Sequence, residues 1–295
     1  MTRLTANLLL LATAAIWGGA FVPQQTAMRV LSPMWFLFAR FAVTLIVLAP
    51  FAFVEARRAI RPVPARGWRG MGLVAAAFLA GNVLQQTSLL STSVTNAGFL
   101  TSLYILFTPF VALALTNERP GTAVWPAAAL GLVGAWLMSG GIGGSASFGD
   151  LLVTCGAIAW ALQIVLIGET MRLVPRPLLL VMVQASTIVV ASGGWAIVHD
   201  PISLDALLTA APEVAYAGLL SGGVAYSIQA IAQRHTTASD AAIVFATEAP
   251  FAAAFGVILL GDRLSAGQWA GMLAIFAAVI VVQLWPSRPT VTDGA

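Results

Sequence analysis

Residues 241–260 read AAIVFATEAPFAAAFGVILL, twenty positions holding one ionisable side chain, Glu248, and one proline, Pro250, near the middle. A helix that crosses a bilayer core of about 30 Å needs roughly 20 apolar residues, and this run supplies them. Inside lipid a carboxylate is expensive, and proline removes a backbone donor from the helix. A stretch carrying both marks either a local fault that neighbouring groups repair or a mobile piece of helix that faces a cavity.

The rest of the chain supports the membrane reading. Of its 295 residues 59% are hydrophobic and 8% are charged, whereas a soluble domain carries about 25% charged residues. Ten segments are long and apolar enough to span: about 4–22, 33–54, 70–90, 95–116, 122–141, 149–169, 177–198, 213–233, 239–260 and 266–285. The first has Arg3 before it, as a signal peptide would. Its pattern recurs later in the chain, so it is expected to be retained. The spacing predicts an all-α integral membrane protein of ten transmembrane helices.

The fourteen basic residues are all arginine, and they lie singly or in one loop, which argues against nucleic acid as a partner. With the N-terminus inside, eleven arginines fall on the inner side: Arg3, Arg57, Arg58, Arg61, Arg66, Arg69, Arg119, Arg172, Arg176, Arg234 and Arg288. Only Arg29 and Arg263 fall outside, where Asp200, Asp205 and Glu213 gather instead. The positive-inside rule therefore puts both termini in the cytoplasm. The lone Cys155 forms no internal disulfide, and two histidines build no metal cage, so neither metal nor cofactor is expected.

The chain also repeats itself. An offset of 144 lays Pro33 on Pro177, Gln85 on Gln229, Thr92 on Thr236, Arg119 on Arg263 and Trp125 on Trp269. Near the first span an offset of 143 lays Leu9 on Leu152 and Trp17 on Trp160. These matches divide the chain into a first unit 1–144, a second unit 145–286 and a cytoplasmic tail 287–295. Five spans per unit is an odd number, so the second copy enters the membrane inverted. Inverted repeats are typical of carriers that bind substrate near the midplane between the halves.

Four stretches carry a family resemblance: AIWGGAFV (15–22), LLSTSVTNAGFLTSLYILFTPFVAL (89–113), ATEAPFAAAF (246–255) and LLGDRLSAGQWAG (259–271). In this order they resemble the drug/metabolite transporter superfamily, its EamA-domain branch of ten spans, and within that the YddG-type amino-acid exporters. Asp262 stands where the family junction usually has Glu, and the first-unit counterpart TNERPGTAVW lacks the preceding Gly. The resemblance implies two inverted five-helix repeats around a central cavity, and export across a bacterial inner membrane. It also implies that Arg40 in the second span is architectural, pairing with backbone carbonyls or snorkelling outward.

The candidate site follows from the polar residues inside the spans. Glu248 lies about 12 Å along its helix from Asp240, and its repeat counterpart Tyr104 lies equally deep from the other side. Glu248 is either a partner for a substrate ammonium or a proton carrier. The local alternative is a hydrogen bond near the carbonyl of Ala246, which Pro250 leaves free. Pro109 in the fourth span and Pro250 are candidate kinks for gating. Asn82, Gln85 and Gln86 fall within one helical turn, with Tyr226 and Gln229 on the symmetric span. These read as cavity lining, although interhelical hydrogen bonding alone also accounts for such amides. Trp17, Thr101, Ser102, Trp160 and Gln163 complete the set. Trp68, Trp125, Trp269 and Trp285 lie near span ends, and the pairs Gly218/Gly222 and Gly267/Gly271 read as close helix packing.

Without lysine and with one buried arginine, the chain lacks the cations that phosphate-carrying relatives need. A neutral or zwitterionic metabolite fits better, and the resemblance implies amino acids, with hydrophobic or aromatic ones favoured. Partners are then a small-molecule substrate, the lipid bilayer and candidate coupling protons, with a monomer favoured. Three alternatives stand beside amino-acid export: an exporter of other metabolites or drugs, a passive channel, and a structural or sensing protein. A membrane enzyme would need a nucleophile with its base, and His199 and His235 stand near opposite faces without one.

Overall fold

The computed structural model describes residues 1–92, 94–140, 147–201, 203–261 and 263–285. Asp262, Arg288, the join at 144/145 and the expected tail 287–295 lie outside the described residues.

Among the described residues ten helical columns follow one another. The first three are α1 (Arg3–Ala27), α2 (Pro33–Arg58) and α3 (Ala65–Ser88). The fourth column is broken into α4 (Val94–Thr101) and α5 (Tyr104–Thr116), and the fifth is α6 (Val124–Ser139). The second half opens with α7 (Phe148–Leu173) and α8 (Pro177–His199), followed by a short connecting helix α9 (Leu204–Thr209). Its third column runs from α10 (Ala211–Tyr216) through a π-helical stretch, Ala217–Ala225, into α11 (Tyr226–Ala232). The last two columns are α12 (Ala238–Phe245) with α13 (Glu248–Phe255), and α14 (Ala266–Leu284). Among the described residues eight columns are long and apolar enough to cross a membrane, and α6 is a shorter apolar helix. α3 is equally long but less apolar, since it begins among Arg66 and Arg69 and carries Asn82, Gln85 and Gln86 further on. The described residues form an all-helical bundle, as expected, with several helices longer than the sequence indicated. α1 runs on to Ala27 rather than ending near 22.

Local chemistry sets the ends. Ser32, Ser147 and Ser265 cap α2, α7 and α14 through their hydroxyls, and Ser147–Asp150 and Ser265–Gln268 form reciprocal capping boxes. Pro33 and Pro177 occupy the first turns of α2 and α8, where a missing N–H costs nothing.

The packing repeats when the halves are exchanged. α1 lies against the third and fourth columns of the second half, and α7 lies against α3, α4 and α5. α2 packs on α8 and α6 on α14, each pair joining equivalent helices. This pseudo-symmetric arrangement is that of two inverted five-helix repeats. Two glycines show how closely the halves meet. A Cβ on Gly18 would stand 2.7 Å from the Glu248 carbonyl oxygen, and one on Gly271 would stand 2.5 Å from that of Gly134. Gly218 and Gly222 likewise face α2 at Arg40 and Thr44, but among the described residues Gly267 meets no other helix, unlike Gly271.

Both broken columns break in the same register. The α4/α5 break falls at Ser102–Leu103 and the α12/α13 break at Ala246–Thr247, 144 residues later. Tight bonds replace the α-helical pattern there: Leu103 N to Leu100 O, Ile105 N to Ser102 O, Thr247 N to Val244 O and Ala249 N to Ala246 O. The prolines do not mark these breaks as the sequence suggested. Pro109 lies inside α5, and Pro250 sits in the first turn of α13, a position that tolerates proline. Ala249 N donates to the Ala246 carbonyl, so Pro250 does not leave that group free.

Candidate functional site

Helices of both halves enclose a polar chamber of about 60 Å³ near mid-bundle. Gln24 and Trp17 reach it from α1, Arg40 from α2, and Asn82, Gln85 and Gln86 from α3. Thr101 and Tyr104 flank the first break, and Phe245 and Glu248 flank the second. The second half adds Trp160, Gln163 and Ile164 from α7, Ser221 from the π-helical stretch, and Tyr226 and Gln229 from α11. The chamber thus gathers the polar and aromatic candidates read from the sequence. Ser102 is the exception and lies next door.

The chamber adjoins a vestibule of about 390 Å³, with Thr101, Tyr104, Phe245 and Glu248 lining both spaces. The vestibule runs past Phe21, Gln25, Ser102 and Met138 to Arg263 and Gln268 at the start of α14. It therefore leads to the face opposite the N-terminus. On the terminal face the way is shut. Arg3 donates to Asp240 and to the Val282 carbonyl, both at 2.9 Å, and Asn7 donates to Gln283 at 2.7 Å. Asp240 is fully buried, and Ala6, Leu10, Ala241, Ala242 and Phe245 pack in the same core. Three further ties join the halves on this face. Glu55 accepts from the backbone N–H groups of Leu178 and Leu179, Arg176 donates to the Arg61 carbonyl, and Arg172 stands 4.0 Å from Glu118. Burial pushes the Glu118 carboxyl up, and Arg172 beside it partly offsets this.

Two wings of the chamber differ in chemistry. In one, Arg40 donates to Asn82 at 2.6 Å and to Gln24 at 3.4 Å, while the Asn82 amide donates to the Phe78 carbonyl. Arg40 is 4% exposed and so does not snorkel, and among the described residues its hydrogen bonds go to side-chain amides and not to the backbone carbonyls expected from the sequence. Its partners are side-chain amides, and it faces the chamber. In the other wing the equivalent position is Gln184, and Gln163, Gln184 and Gln229 exchange amide hydrogen bonds of 3.2–3.4 Å. Trp160 donates to Gln85 at 3.1 Å, which ties α7 to α3.

An aromatic cluster closes round these groups. Trp17 lies 4.9 Å from Tyr226 and 5.1 Å from Phe245 by ring centroid, and Phe78 meets Tyr226 edge-on at 4.7 Å. Such rings offer flat apolar surface beside polar groups. The Glu248 carboxylate has no hydrogen bond or ion pair among the described residues. The repair-by-hydrogen-bond reading of this residue is therefore not what the structure contains.

Sequence reasoning passed over Gln24, Ser221 and Phe245. Gln24 was hidden by the misjudged end of the first span, and Ser221 by the π-helical stretch that turns it inward. Phe245 is one apolar residue within an apolar run and carries no signal of its own.

Residues 4–140 and 147–284 each match the EamA-like transporter family. A curated relative from Archaeoglobus fulgidus, named an uncharacterized transporter, is 29% identical over 292 residues, spanning 96% of this chain and 87% of that protein. A chain of known crystal structure shares the fold at TM-score 0.78 and 16% identity, over 96% of this chain and 98% of that one. Fold and family together define a multi-pass membrane transporter. The chain belongs to the EamA-like transporter family.

Proposed function

We propose that the protein exports small zwitterionic metabolites, foremost neutral, aromatic or hydrophobic amino acids, by alternating access to the chamber between its halves. One observation carries the reading: a small polar, aromatic chamber that widens into a vestibule of about 390 Å³ open to one face, the two together giving an amino acid room, with ties between the halves shutting the other face. A carrier needs such a closure on each side in turn, and an inverted repeat supplies two equivalent ones. The units are 1–144 and 145–286, with 287–295 as a tail.

The arginine distribution supports cytoplasmic termini in a bacterial inner membrane, which makes the vestibule the outward path. Glu248, Asn82, Gln85, Gln86, Gln163, Gln229, Thr101, Ser102, Tyr104 and Tyr226 are the proposed polar contacts, and Trp17 and Trp160 the stacking surfaces. The breaks before Tyr104 and Glu248 give each half a hinge beside the substrate, with Pro109 and Pro250 stiffening the segments that follow. Coupling to protons would run through Glu248, the carboxylate that faces the chamber.

The test is a competition screen on the purified protein, with a labelled hydrophobic amino acid against a panel of amino acids, other metabolites and drugs. Displacement by neutral and aromatic amino acids is the expected result. Displacement by drugs alone, or none by any amino acid, would overturn the substrate class.

A further inference from the structure

The chamber holds a cation and a carboxylate, and neither has a partner of opposite charge among the described residues. Arg40 meets only neutral groups: the amide oxygens of Asn82 and Gln24, and the rings of Phe41 and Phe36 at 4.5 and 5.5 Å. A guanidinium has five N–H donors in a planar fork, and burying it without an anion is costly. Two donors are engaged, and the buried Nε has no acceptor. The repeated fold does not demand a cation here, because the equivalent position in the second half is Gln184, held by Gln163. The charge belongs to one wing alone.

We infer that Arg40 is the subsite for the substrate carboxylate, with Asn82 and Gln24 holding the guanidinium in the chamber wall. Glu248 then receives the ammonium. This inference rests on the amino-acid reading above and deepens it: the carboxylate of the ligand is read at Arg40 and its ammonium on the Glu248 side of the same chamber. An amine lacking the carboxylate meets an unpaired guanidinium, and an acid lacking the ammonium meets an unpaired Glu248. Rejection of such analogues follows from the cost of leaving a buried polar group unmatched.

The experiment measures binding of phenylalanine and leucine, their primary amides and their decarboxylated amines to the purified full chain. Wild type is expected to favour the acid over its amide by about tenfold or more. Arg40→Gln should abolish that preference by weakening the acid roughly tenfold to a hundredfold, with the amide little changed. Arg40→Lys keeps the charge but not the fork, and should recover part of it. Equal binding of acid and amide by wild type removes the subsite even if Arg40→Gln does not fold, and so does a preference that survives Arg40→Gln. Failure of every compound to bind overturns the amino-acid reading and the subsite with it.

Discussion

Glu248 and Gln163 illustrate how a buried polar residue declares its work through its partners. Gln163 is 1% exposed and spends its amide on Gln184 and Gln229. Gln163→Ala should therefore loosen that wing and weaken substrate affinity by roughly threefold to tenfold, read by equilibrium binding; unchanged affinity would return the residue to packing. Glu248 has no such partners, so Glu248→Gln should leave folded yield intact and slow transport about tenfold or more. Wild-type flux in that variant would remove Glu248 from the mechanism. Both residues were legible in the sequence because a carboxylate or amide inside an apolar run is expensive. The role of Arg40 was not legible, because the same arginine could have snorkelled, and only the positions of Asn82 and Gln24 decide its direction. Phe245 was invisible for the opposite reason: an apolar residue in a membrane span costs nothing anywhere.

At the scale of the helices, the sequence showed ten spans but misplaced their irregularities. Proline suggested the kinks, yet the breaks fall at Ser102–Leu103 and Ala246–Thr247, where bonds to the third residue back take over. No local residue type announces those sites. The π-helical stretch Ala217–Ala225 has similar support from afar. Thr44 donates to the Gly218 carbonyl at 2.7 Å, and Trp17 donates to that of Ser221 at 3.4 Å. Thr44→Val should then cost about 1 kcal/mol, seen as a lower unfolding midpoint in detergent, and no change would mean the stretch holds without it. Gly18 was legible as part of the Trp–Gly signature, while its reason is visible only in three dimensions. A side chain there would strike the α13 backbone beside Glu248. Gly18→Val should destabilise by roughly 1–3 kcal/mol through overpacking, and an unaltered midpoint would show that the two helices separate freely.

Across the whole molecule, the repeat offset of 144 agrees with the exchange symmetry of the packing, while the shared register of the breaks emerges only from the structure. The offset could not foretell which end is shut, since either conformation satisfies a symmetric sequence. Closure of the terminal face includes the ion pair Arg3–Asp240, whereas at the opposite face Thr92 pairs with Asp150 and Ser32 with Asp200 through hydrogen bonds from hydroxyls. Asp240→Asn should weaken the tie and expose Ala242→Cys to a water-soluble maleimide from the terminal side, with the exposed Cys155 replaced by serine. Several-fold faster labelling is expected, and an unchanged rate would mean that apolar packing alone seals this face. The central claim, a chamber opened to one face at a time, is tested most directly by counterflow in proteoliposomes. Unlabelled phenylalanine loaded inside should accelerate saturable entry of the labelled amino acid. Entry that rises linearly with concentration and ignores the interior amino acid would contradict a carrier.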